Sequence, residues 1–178
     1  MKKSVILFSL VFMSMFFSCK DDSKIEEEVV VQNKPVFKIA LDLVIKKDDS
    51  LQVFYCENGE TEINGANTVW SSVKGNNNSQ QVIFNLPEDV FPTKLRIDLS
   101  KNKDQDEIEI KGFTINYDKK SFSVKDTMFY QYFIPNEQID WDRKKAIAKF
   151  KSKEGEFFDP QFGSRELMEA ELQKLYKK

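Results

Sequence analysis

From Pro35 onward the chain alternates with a period of two. Phe37, Ile39, Leu41, Leu43 and Ile45 share one parity, and Lys38, Ala40, Asp42, Val44 and Lys46 share the other. That spacing predicts a strand with one face in a core. Asp48-Asp49-Ser50 breaks the run as a turn, and Leu51, Val53 and Tyr55 resume it. Asn58-Gly59 marks the next turn, with residues that accept positive φ. Further strands are expected at 68–73, at Val82, Phe84 and Leu86, and at Leu95, Ile97 and Leu99, with Gly75 to Ser79 as a loop between the first two. Between Glu107 and Tyr117 the apolar parity changes: Ile108 and Ile110 hold one, Phe113, Ile115 and Tyr117 the other. A change across Gly112 predicts a β-bulge or a sharp bend. Strands are also expected at 122–124, 128–134 and 146–151.

Many short strands separated by turn signals, without interleaved helical patterns, predict an all-β, antiparallel β-sandwich. The C-terminus departs from this period. Leu167, Met168, Leu172 and Leu175 fall on one helical stripe, with Ser164 as a cap, acidic residues early and lysines late. One helix over 164–177, docked on the sandwich, is the expectation.

Upstream of the strands, Lys2-Lys3 precede an apolar run from Val5 to Phe17 and the small residue Ser18. This is the layout of a secretory signal peptide, and the run is short for a transmembrane span. Cys19 follows directly, then Lys20-Asp21-Asp22. The arrangement resembles the lipobox of Bacteroidetes-type surface lipoproteins, although Phe16 and Phe17 stand where the usual box has leucine and a small residue. The resemblance implies an acylated Cys19 as mature N-terminus, with Lys20, Asp21 and Asp22 as an export signal. It also implies an outer-membrane location, anchored through lipid and facing the cell surface. The domain plan is then a signal peptide over 1–18, a lipidated cysteine and tether over 19–35, and one β-sandwich domain over 36–178.

Composition removes several function classes. The chain has 27 basic and 29 acidic residues, and loss of Lys2 and Lys3 makes the mature protein more acidic still. Nucleic acid is not an expected partner, because its recognition calls for a clustered basic surface. The sequence contains no histidine. Serine-histidine triads, cysteine-histidine dyads and histidine-ligated zinc or iron sites are thereby excluded. With Cys19 acylated, Cys56 is the one remaining thiol, so the fold must hold without an intrachain disulfide. Beside Phe54 and Tyr55, Cys56 reads as a small buried hydrophobe.

The strand Leu51-Gln-Val-Phe-Tyr55, the segment Val82-Ile-Phe-Asn-Leu-Pro87, and Leu95-Arg-Ile-Asp-Leu99 followed by the Ile108/Ile110 strand resemble jelly-roll, carbohydrate-module-like domains. The resemblance implies a jelly-roll-like sandwich. Sugar binding needs aromatic faces with polar groups at their rim, and Trp70, Trp141, Tyr55, Tyr130 and Tyr132 are the candidate platforms. In a chain with 16 phenylalanines, aromatics also build the core. Oxygen side chains at Asp98, Ser100, Asn102, Asp104, Asp106 and Glu109 have the spacing of an EF-hand calcium loop. Lys103 stands where the turn requires glycine, Lys101 adds a second positive charge, and the flanks read as strands; Ca2+ is the one candidate cofactor. Asp49-Ser50-Leu51 and Asp126-Thr127-Met128 resemble Bacteroidetes O-glycosylation signals, which makes Ser50 and Thr127 candidate acceptors. No carboxylate pair suggests a catalytic cleft. The expected work is non-catalytic binding, with glycan first, an envelope protein partner or structural assembly second, and glycoside hydrolysis a distant third.

Overall fold

The structure is a computed structural model that describes residues 34–57, 59–60, 62–152 and 155–177. The signal peptide, Cys19 and Lys20-Asp21-Asp22 lie outside the described residues. From Lys34 on, the chain is an antiparallel β-sandwich of jelly-roll-like character with a C-terminal helix. One sheet has the order β4-β1-β6-β10-β9, with β7 also paired to β6; the other has the order β3-β2-β5-β11-β8. The strands of the first sheet are β1 (Lys38–Ile45), β4 (Asn76–Asn85), β6 (Glu107–Tyr117), β7 (Lys120–Lys125), β9 (Ile139–Asp142) and β10 (Ile147–Phe150). Those of the second are β2 (Asp49–Cys56), β3 (Thr68–Val73), β5 (Lys94–Asp98), β8 (Phe133–Pro135) and β11 (Gln161–Ser164). Among the described residues, β2–β3, β6–β7 and β9–β10 are consecutive strands paired within one sheet, and the remaining connections cross between sheets. Repeated crossing is why neither sheet can form without the other.

The predicted alternation defines the core. Ile39, Leu41, Leu43 and Ile45 of β1 meet Leu51, Val53, Leu95 and Ile97 of the opposite sheet, all fully buried. An aromatic cluster fills one region: Phe129 stacks on Phe133 with centroids 4.5 Å apart and meets Phe162 edge-on at 5.2 Å. The bulge falls where the parity changed. Asp42 faces Gly112 and Leu43 faces Ile110, so Lys111 is the extra residue. A Cβ on Gly112 would come within 3.1 Å of Asp42 Oδ2, which makes the bare backbone useful there.

Three expectations are corrected. Gly75 to Ser79 is not a loop: β4 begins at Asn76, which pairs with Ile45. Ladder hydrogen bonds to β1 outweigh the poor strand propensity of asparagine, and the polar side chains blunt an exposed edge. Met128 to Ile134 is not one strand either. A 3-10 turn (Asp126–Met128) and the single helical turn α1 (Phe129–Tyr132) precede the short β8. Phe129 and Phe133 share both strand parity and an i,i+4 helical spacing, so the period could not separate the two. The C-terminal helix α2 spans Glu166–Tyr176 with Arg165 at its N-cap and no side-chain cap bond. Ser164 instead ends β11, where its Oγ accepts from the Leu95 amide at 3.1 Å. Met168, Leu172 and Leu175 are buried as expected, but Leu167 is 57% exposed. Helix α2 touches β5 and β11 of one sheet and β6 and β7 of the other, and so spans the gap between them. Among the described residues, no helix is long and apolar enough to cross a membrane.

Candidate functional site

Directly opposed residues in antiparallel strands share a face, so the outward side of the second sheet is a grid of rows. One row runs Trp70, Gln52, Asp98 and Gln161 across β3, β2, β5 and β11. The next runs Thr68, Phe54, Arg96, Gly163 and, on β8, Ile134. The alternate residues of these strands are the core, which fixes this grid as the outer surface.

Much of the grid is covered and internally satisfied. Gln52, Phe54 and Asp98 are buried. The Arg96 guanidinium lies 3.9 Å from the Phe54 ring centroid and holds Asp98 in two-point fashion, Nε to Oδ1 at 2.9 Å and Nη2 to Oδ2 at 3.2 Å. Such paired, planar contacts are the strong form of ion pair. The segment before β11 folds over the same row. Lys101 Nζ donates to Asp159 Oδ1 at 2.8 Å and to Asp98 Oδ2 at 3.2 Å, bridging the two carboxylates. Burial pushes the Asp98 carboxyl above its ordinary value, against the opposing hydrogen bond and charge of Arg96. For Lys101, burial acts downward, but the hydrogen bond to Asp159 and the charge of Asp98 outweigh it and hold the ammonium above its ordinary value.

Two aromatic rings stay open beside this network. Trp70, on the edge strand β3, is 54% exposed, and Phe157, on the covering segment, is 78% exposed. Lys101 Nζ lies 5.7 Å from the Trp70 ring centroid and 5.9 Å from that of Phe157, within cation–π range of both. Next to Lys101 opens a cleft of about 610 Å³, lined also by Asp48, Ser50, Ser72, Lys74 and Asn102. Its size suits a small ligand. Asp49 positions this corner. Its Oδ1 accepts from the amides of Ser50, Lys101 and Asn102 at 2.7, 2.9 and 3.1 Å, and its Oδ2 from Ser100 Oγ at 2.5 Å. The loop that carries Lys101 is thereby tied to the start of β2.

The five predicted platforms do not converge. Trp70 is the exposed one. Trp141 is half-buried, its ring edge-on to Phe162 at 5.5 Å, and its Nε1 is buried without a partner among the described residues. Tyr55 lies in the core. Tyr130 has guanidiniums near its ring, with Arg143 at 3.9 Å and Arg165 at 4.8 Å from the centroid, and its hydroxyl accepts from Arg143 at 2.6 Å. Tyr132 meets Phe122 edge-on at 5.0 Å. Of the oxygen ligands proposed for calcium, Asp98 is committed to Arg96 and Lys101, and Asn102 donates to the Asp48 carbonyl and accepts from the Asp104 amide. Glu109 takes Lys111, and Asp104 and Asp106 are exposed. These side chains do not gather, and among the described residues no group of three or more acids and cysteines could hold a metal ion. Ser50 is half-buried, its Oγ 3.3 Å from that of Ser72 in the cleft; Thr127 is exposed beside Asp126. Cys56 is buried, and burial raises its thiol.

Sequence reasoning missed Lys101 and Phe157. Lys101 entered it only as an argument against calcium. Phe157-Phe158, an aromatic pair in a segment without strand period, was the available signal for an exposed ring. No protein-family model, no curated protein and no solved structure matches this chain.

Proposed function

We propose that this chain is a non-catalytic, lipid-anchored envelope lipoprotein whose sandwich binds glycan on the outer face of its second sheet. The observation that carries the reading is Trp70: a large aromatic ring left open on a β-face, beside a cleft lined by two hydroxyls, an amide, two ammonium groups and two carboxylates. A pyranose presents an apolar ring face and a polar rim, and the site offers a counterpart to each. Phe157, its ring centroid 5.9 Å from Lys101 Nζ, adds a second exposed ring. A glycan microarray probed with the full-length chain and with Trp70→Ala tests the reading. Binding that depends on Trp70 supports it; binding unchanged in Trp70→Ala would put the site elsewhere.

A second reading, docking of an envelope protein, has one observation in its favour. Ile134, 47% exposed at the edge of the second sheet, and Leu167 of α2 line one groove of about 650 Å³. Ile134→Asp and Leu167→Asp should abolish co-purification of any such partner while leaving glycan binding intact.

A further inference from the structure

The charges around the cleft carry the glycan reading one step further. We infer that the glycan taken by this site is uncharged, and that the ion pairs in and beside the cleft select against sugars bearing carboxylate or sulfate; the inference rests on the glycan reading above. Each cation at the site already has its carboxylate. Arg96 is bound to Asp98, Lys101 to Asp98 and Asp159, and Lys74 to Asp48 at 2.6 Å. Asp49 adds a further carboxylate, spent on backbone amides and a hydroxyl. Four carboxylates thus stand against three cations, and none of these cations is left over for an acidic sugar. To enter, such a sugar must break one of these pairs or sit beside uncompensated negative charge, and like-charge juxtaposition is the usual device for rejecting a wrong ligand.

The same arrangement suits hydroxyls. An ammonium has three donors, and among the described residues two of those on Lys101 are engaged by Asp98 and Asp159. The third is available to a ligand oxygen, with the Trp70 and Phe157 ring centroids 5.7 and 5.9 Å from the ammonium. Ser50, Ser72 and Asn102 supply neutral donors and acceptors along the cleft.

Titration calorimetry of the full-length chain in detergent tests this at low and at high salt. One arm uses neutral gluco-, manno-, xylo- and galacto-oligosaccharides; the other uses oligogalacturonates and sulfated galactans. The expected result is neutral-sugar binding with no salt dependence, and acidic sugars bound about tenfold more weakly or worse. Asp48→Asn provides the second arm. Both partners of the Asp48–Lys74 pair are exposed, so folding is not at stake, and an amide oxygen can still accept from Gly75 N as Asp48 does at 2.9 Å. It frees Lys74, and should narrow the ratio of neutral-sugar to acidic-sugar affinity roughly threefold. Acidic sugars bound by the wild type as tightly as neutral ones, or binding that weakens with salt, would overturn the inference while leaving the glycan reading in place. Binding of neither class would overturn both.

Discussion

Asp49 shows how one buried side chain can position a surface site. Three amides and a hydroxyl converge on it from two segments that are distant in sequence. Removing the carboxylate leaves buried donors unsatisfied, so Asp49→Ala is expected to cost about 3 kcal/mol in urea denaturation. It should also weaken glycan binding, because it releases the loop that carries Lys101. Asp118 makes the opposite case. It opens the two-residue β6–β7 turn at a φ of 51°, a conformation that suits glycine. Asp118→Gly should therefore raise stability by about 1 kcal/mol, read as a higher urea midpoint. Asp98 supplies a pH test. Its folded pKa is raised by burial, so the folded state holds the proton more tightly than the unfolded chain does. That contribution is complete below the unfolded value and is lost as pH rises through the folded one. Stability of the wild type relative to Asp98→Asn should therefore decline with rising pH across that window. Half-buried Asp142 slopes the other way, because hydrogen bonds from the Lys144 and Lys145 amides hold it below its ordinary value. A relative stability that climbs with pH would contradict the assignment for Asp98.

At the scale of elements, what the sequence made legible was what one period controls. β1, β2 and β5 carry their core-facing residues on a single parity, and even the bulge at Gly112 was visible as a change of that parity. β9 and β11 were not anticipated. They are four residues each, too short for alternation to show; β11 is held by neighbours distant in sequence, and β9 by its hairpin with β10. The start of β4 was hidden by asparagines, and α1 by aromatics whose spacing fits strand and helix alike. In α2 the stripe was read correctly except at Leu167, which sits at the groove with Ile134 instead of on the sheets. Leu172→Ala should accordingly cost about 2–5 kcal/mol, and Leu167→Ala less than about 0.5 kcal/mol, in the same denaturation assay. The candidate site was legible only as Trp70. Its ion pairs join residues from β5, the loop after it and the segment before β11, a juxtaposition that no local pattern encodes.

For the whole molecule, the proposed account separates three tasks. The two inner sheet faces hold the fold, the outer face of the second sheet binds, and Cys19 anchors. The anchor can be tested alone: Cys19→Ala should move the protein from the detergent phase to the aqueous phase in phase partitioning, with the sandwich still folded. The central claim concerns the outer face, and the two tryptophans separate it from the core. Trp141 packs against Phe129 and Phe162, so Trp141→Ala is expected to cost about 3–5 kcal/mol. Trp70 stands open on β3, so Trp70→Ala should cost less than about 1 kcal/mol yet weaken glycan binding roughly thirtyfold. Thermal melting and neutral-oligosaccharide titration of these two variants, side by side, is the decisive measurement. The account predicts a stable Trp70→Ala with that weakened binding; a Trp70→Ala that binds as the wild type does, or that unfolds as readily as Trp141→Ala, would contradict it.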